Sequence, residues 1–181
     1  RQMCIRDSTY PSESAANTCD TSKWYATSQS FVAVAGSEFG LPAGHWRQTV
    51  TTGNAVKVSY YDAFWRPVVV QQYDAGNQAA TTSLQQFTYD HDGRATFASY
   101  PGTSLSSTGT WTTYDALGRI TSVGQDTELN PSLQLTTTSY LSGGRIQVTN
   151  PRGQSTITSY MAYDQPSTDL PVRIESPEST V

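Results

Sequence analysis

Lysine is almost missing from this chain. Lys23 and Lys57 are the only two in 181 residues, and 11 basic against 15 acidic side chains leave a formal net charge of −4. A nucleic-acid partner requires clustered positive charge to meet phosphates. The nine arginines are scattered, most of them beside turns, so nucleic acid is excluded as a main partner. Cysteine is equally scarce: Cys4 and Cys19 both lie close to the N-terminus, where a bridge would close only a short leader loop. No disulfide framework can hold such a fold. No apolar run approaches the ~20 residues of a membrane helix, and no apolar signal-peptide core follows Arg1. Two histidines, His45 and His91, are too few for an HExxH zinc site, and GxSxG, P-loop, GxGxxG and CxxC signatures are absent. Nothing here marks an enzyme or calls for a cofactor or metal.

Serine and threonine are over-used instead, and tyrosine leads the aromatics, with 11 Tyr against 5 Phe and 4 Trp. Threonine and tyrosine suit half-exposed pleated strands, so the bias predicts an all-β protein. A helical bundle would need more Ala, Leu, Glu and Lys. No segment carries a 3.6-residue apolar period.

One short phrase recurs. "YDALGR" occupies 114–119 and "YDHDGR" occupies 89–94. Aligning on Tyr, with Gly four positions on and Arg five on, extracts Tyr114, Asp115, Gly118 and Arg119, and Tyr89, Asp90, Gly93 and Arg94. "YLSGGR" supplies Tyr140, Gly144 and Arg145 with Leu141 in place of Asp, and "YDAFWR" supplies Tyr61, Asp62 and Arg66 with Trp65 in place of Gly. A fifth, "YDQPST", keeps only Tyr163 and Asp164. The intervals from Tyr61 through Tyr89, Tyr114 and Tyr140 to Tyr163 are nearly constant, and so narrow a period marks a structural repeat.

The chemistry of the phrase is that of a tight reversal. Asp at the first turn position can accept backbone N–H bonds, and Gly at the fourth supplies φ > 0, which is a type I turn closed by a glycine bulge. "NPRG" repeats the pattern with Asn150, Pro151 presetting φ, and Gly153. Between turns the residues alternate: in "RIQVTN", Ile146 and Val148 face one way, Gln147 and Thr149 the other. A unit of ~25 residues therefore holds two strands. "DAGN" at 74–77, "LSSTG" at 105–109 and "NPS" at 130–132 are the expected intermediate turns.

This recurring Tyr-Asp-x-x-Gly-Arg phrase, with Asn/Asp-Pro-x-Gly turns between, resembles the RHS or YD-repeat family over roughly 55–170. The resemblance implies repeated antiparallel hairpins in an open, curved sheet, part of a spiral that closes into a hollow shell. In bacterial members that shell encloses a C-terminal toxin; in animal teneurins it belongs to a cell-surface adhesion protein. It therefore implies a secreted or cell-surface location, with further repeats of the same polypeptide as partners. Only two of the five units carry all four motif residues, and "NPRG" has Asn where the family's self-cleaving motif needs Asp, so it reads as a turn alone.

The expected organisation is a leader over 1–22, a degenerate repeat or preceding strands over 23–54, and the YD-repeat region over 55–181. Within 23–54, "WYATSQSFVAVAG" reads as one or two strands and "GLPAGHWRQ" at 40–48 as a loop entering the first repeat. "MCIRDS" at 3–8 matches one translated frame of a transposon end used in sequencing-library preparation, so residues 1–8 read as a scar. With a start at Arg1 and an end at "ESPESTV", the chain reads as an excerpt of a longer protein.

Three sharper roles compete with plain ones. His91 with Asp90 and Asp92 suggests calcium, but "GRATF" brings no further oxygen ligands, which leaves a solvated turn. The Asp/Arg pairs recur unit after unit, whereas catalysis would need one unique constellation, so their expected role is local turn geometry. Trp24, Trp46, Trp65, Trp111 and the tyrosines can stack on carbohydrate or pack across strands, and their fixed repeat positions favour packing. The resulting expectation is a non-enzymatic shell segment; the alternatives are an adhesion or carbohydrate-binding repeat protein, or an unrelated secreted β-solenoid.

Overall fold

Extended segments separated by glycine-bearing turns have one simple way to pair, each strand with the next. The computed structural model describes residues 25–129 and 132–177, and it has that order from end to end. The strands are β1 (Thr27–Ala33), β2 (Trp46–Thr52), β3 (Ala55–Tyr61), β4 (Pro67–Asp74), β5 (Ser83–Tyr89) and β6 (Ala95–Ser99). They continue as β7 (Gly109–Tyr114), β8 (Ile120–Asp126), β9 (Leu133–Leu141), β10 (Arg145–Thr149), β11 (Ser155–Met161) and β12 (Ser167–Glu175). All twelve lie in one open antiparallel sheet in sequence order. The protein is all-β, as its composition predicts.

In such a meander alternate turns fall on the same edge. The loop 34–45 and the turns at 62–66, 90–94, 115–119, 142–144 and 162–166 therefore share one edge; every YD phrase lies there. Residues 53–54, 75–82, 100–108, 127–129 with 132, and 150–154 lie on the other.

Strand β3 shows why the first half has a core. In "AVKVSYY", Val56, Val58 and Tyr60 alternate inward while Lys57 points out. Val69 and Leu84 join them, and Leu41 and Leu105 fold over the cluster from the loops at 34–45 and 100–108. Phe97 is buried next door, with its ring centroid 4.2 Å from that of Trp111. From β7 onward no such lid is present among the described residues: Trp111, Leu133 and Leu135 are over a third exposed, and all of β12 beyond Ser167 is exposed.

Several details depart from the sequence reading. Residues 40–48, expected as a loop, contain the start of β2 at Trp46. "DAGN" turns as expected, with Gly76 N–H donating to Asp74 Oδ1 at 2.7 Å, but a single helical turn, α1 (Gln78–Thr81), follows. Its residues carry no helical period; Thr81 and Thr82 instead donate their hydroxyls to Asn77 O and Gln78 O. The "NPS" turn falls on Asn130 and Pro131, outside the described residues, as do Cys4, Cys19, Trp24 and the leader.

Candidate functional site

The first three YD turns close in the same way. In the turn at 115–119 the Asp115 carboxylate uses Oδ1 to accept the N–H of Leu117 and of Arg119, both at 2.9 Å. Its Oδ2 accepts Arg119 Nε at 2.7 Å. Gly118 takes φ 79°, and its N–H donates to Asp115 O at 2.9 Å. The turn at 90–94 repeats this with Asp92 N and Arg94 N on Asp90 Oδ1 and Arg94 Nε on Oδ2. The turn at 62–66 repeats it again with Asp62, Phe64 and Arg66, although Trp65 must adopt φ 62° where the others have glycine. "NPRG" forms a neutral version on the opposite edge. Asn150 Oδ1 accepts the N–H of Arg152 and Gln154 at 3.0 Å, and Asn150 Nδ2 donates to Gln154 Oε1.

These contacts hold the carboxylates ionised. Burial alone would push the Asp62 carboxyl up, but the Arg66 N–H and guanidinium and the Phe64 N–H outweigh it and bring it below the usual range. Asp90 is lowered in the same manner, partial desolvation being outweighed by Arg94. At Asp115 the backbone N–H of Arg119 is the leading cause of the decrease.

The same residues also reach beyond their own turn. Arg66 lays its guanidinium over the Tyr89 ring, Cζ 4.8 Å from the centroid, and donates Nη1 to Asp90 O at 3.2 Å. Arg94 covers Tyr114 at 4.9 Å and reaches Asp115 O at 3.4 Å; Arg119 covers Tyr140 at 3.9 Å. In return each tyrosine hydroxyl donates to the carbonyl just past the preceding arginine. Tyr89 reaches Pro67 O at 2.8 Å, Tyr114 reaches Ala95 O at 2.9 Å and Tyr140 reaches Ile120 O at 3.0 Å. The four motif residues thus form a ladder along one sheet edge, each rung joining two consecutive hairpins.

A β-bulge follows each of the three complete turns. Tyr61 pairs with Pro67 and Tyr60 with Val69, which leaves Val68 over; Thr96 and Thr121 are the extra residues in the next two. Each bulge lies beside the carbonyl that receives the next tyrosine. Strands β9 and β10 pair without a bulge, and the ladder ends at Tyr140.

The fourth and fifth phrases do not continue it. Arg145 has no carboxylate in its turn, and its Nε donates to Ser142 O at 3.0 Å. The residue paired with it across β11 is Ser159. Tyr163 lies beyond the strand end at Met161 and is 87% exposed, with Asp164 at φ 66°. The cause is the tight turn at 150–154, which returns β11 alongside β10 too early for Tyr163 to meet Arg145.

The first phrase begins the ladder differently. Tyr61 pairs across β2 with Trp46 rather than with an arginine; its hydroxyl donates to Gln48 Oε1 at 2.7 Å and its ring meets Phe31 edge-on. Phe31 stacks on Trp46 at 5.0 Å and on Trp65 at 5.5 Å. Trp111 packs on Phe97 and donates Nε1 to Asp126 Oδ2 at 3.3 Å.

His91 is a solvated turn residue, its side chain 86% exposed and 3.2 Å from Asp92. Among the described residues no three His, Cys, Asp or Glu side chains converge as metal ligands, and no helix is long and apolar enough to cross a membrane. No protein-family model matches the chain, and no curated protein is significantly similar to it.

Proposed function

We propose that this chain is a non-enzymatic wall segment of a larger repeat shell of the RHS/YD type, secreted or at the cell surface, whose cargo is a C-terminal toxin domain of the same polypeptide. The observation that carries the reading is the ladder. Arg66, Arg94 and Arg119 each serve their own turn and the next, an arrangement whose use is to fasten hairpins edge to edge and which works for any number of units. The aspartates are occupied in turn bonds, which leaves them unavailable as an acid or base. The test uses the longer polypeptide. A C-terminal domain enclosed by the wall should resist protease, and Arg94→Ala with Arg119→Ala should expose it. Cleavage at the same rate in the intact and the ladder-deficient protein would overturn the proposal.

A second reading, a carbohydrate-binding surface, is favoured by one observation. Phe31, Trp46 and Trp65 form a stacked cluster at the edge, exposed by 41, 36 and 57%, and Trp65 is held there in a conformation that glycine would adopt more readily. Glycan-array binding that Trp65→Gly abolishes without unfolding would establish this second role; an array without a specific binder would remove it.

A further inference from the structure

The strand register sets two arginines on either side of one serine. Arg145 of β10 pairs with Ser159 of β11, and Ser159 pairs with Arg173 of β12. Residues directly opposite in antiparallel strands project from the same face of the sheet. Arg145, Ser159 and Arg173 therefore form one row on one face, with the arginine Cα atoms roughly 10 Å apart across two strand spacings. Pairing of β11 with β12 is regular from Ile157 to Ser159, and the irregularity begins only beyond it.

This row is short of negative charge. Arg47, Arg66, Arg94 and Arg119 each hold a carboxylate at 2.7 to 3.0 Å. Arg145 holds none, and its Nε donates to Ser142 O at 3.0 Å. Arg173 meets Glu175 through Nε alone, at 3.2 Å, with its side chain 72% exposed. Among the described residues, the terminal nitrogens of both arginines and the Ser159 hydroxyl make no hydrogen bond. Two like charges that face each other across a single hydroxyl repel. Two guanidinium forks with a hydroxyl between them also match the oxygens of a tetrahedral anion.

We propose that this row binds a phosphate monoester, its dianionic head seated over Ser159 between the Arg145 and Arg173 forks. Each fork donates to the phosphate oxygens from one side, the serine hydroxyl donates from the sheet, and the ester substituent points away from it. The bound dianion offsets the two guanidinium charges, as the aspartates do for the ladder arginines. A sulfate ester has the same shape with one charge less, so it balances only one arginine of the two. Glu175 competes with the ligand for Arg173. The inference is independent of the shell reading, because neither arginine carries a rung of the wall.

Methyl phosphate titrated into the isotope-labelled full chain, at about pH 8 where it is a dianion and at constant ionic strength, tests it. Saturable shifts should centre on the amides of Arg145, Ser159 and Arg173. Arg145→Gln and Arg173→Gln should each weaken binding roughly tenfold with an unchanged melting temperature, since both side chains are exposed. Arg152→Gln, in the turn on the edge away from the YD phrases, should leave the affinity as it is. Ser159→Asp should abolish binding by placing a carboxylate between the forks, and it should not lower the melting temperature. Methyl sulfate, with one charge less, should bind more weakly than methyl phosphate. No saturable shift up to about 10 mM, unchanged affinity in Arg145→Gln and Arg173→Gln, or tighter binding of methyl sulfate would overturn the proposal.

Discussion

At the scale of single residues, the turn glycine has two duties. Its φ of 79° at Gly118 is one that L side chains rarely adopt. A Cβ placed there would also come 3.3 Å from Arg94 Nη1, the guanidinium arriving from the preceding turn. Gly118→Val should therefore cost ~1–2 kcal/mol in backbone strain, with a further loss from the displaced rung. Ala116→Val, at a turn position with ordinary negative φ, should cost much less. Thermal melts of the two variants compare them directly, and equal losses would refute the assignment. The aspartates yield a pH prediction of definite sign. Asp62, Asp90 and Asp115 are held below the carboxylate range in the folded chain. Their contribution is complete above the unfolded value of ~3.9 and is lost as pH falls through the folded values. The melting temperature should be flat between about pH 7 and 5 and fall below about pH 4. Asparagine at all three positions should flatten that acid limb, because Asn150 demonstrates that an amide oxygen can still cap the turn.

At the scale of elements, hairpins joined by rungs should not behave as independent units. Tyr114→Phe keeps the ring under Arg94 but removes the hydroxyl that donates to Ala95 O at 2.9 Å. About 0.5–1.5 kcal/mol should be lost. In a double-mutant cycle, Arg94→Ala and Tyr114→Leu should couple by at least ~0.5 kcal/mol, as a cation over an aromatic face does. Arg94 and Tyr140, one rung further along, should be additive. A coupling of zero for the first pair would mean that each turn folds alone. The turn chemistry is legible in the phrase itself, since Asp at the first position and Gly at the fourth specify a reversal whatever surrounds them. The rungs are not. Whether Arg94 meets Tyr114 depends on strand register, and that register turns on bulges at Val68, Thr96 and Thr121, residues with no distinctive character. Without the register, the Asp–Arg pairs read as local geometry alone, and Tyr163 passes for a fifth rung because its spacing from Tyr140 looks regular. Its true position is set by the short turn at 150–154, which a count of intervals ignores.

At the scale of the whole molecule, a single-layer sheet with one small core leaves both outer strands open among the described residues. Strand β1 is exposed along its entire length, and β12 presents Leu170, Val172 and Ile174 at 54, 66 and 62% exposure. The polarity of the meander adds a geometric point. An odd-numbered and an even-numbered strand run in opposite directions, so β12 of one copy can pair antiparallel with β1 of another and continue the sheet. Neither strand contains lysine, the residue that most often guards such edges. The wall reading requires those edges to be covered by neighbouring repeats, and residues 9–181 expressed alone lack that cover. We expect marginal stability and reversible self-association, seen in sedimentation velocity as a weight-average size that rises with concentration. Val172→Lys together with Ile174→Lys should lower that association by charging one edge, and extension with native flanking repeats should lower it by covering the edge. The two remedies differ in the melt. Flanking repeats add packed neighbours and should raise the melting temperature, whereas the lysines only block contacts and should leave it unchanged. A monomer at every concentration with a sharp cooperative melt would mean that twelve strands suffice as a complete domain, and the wall assignment would fall with that result.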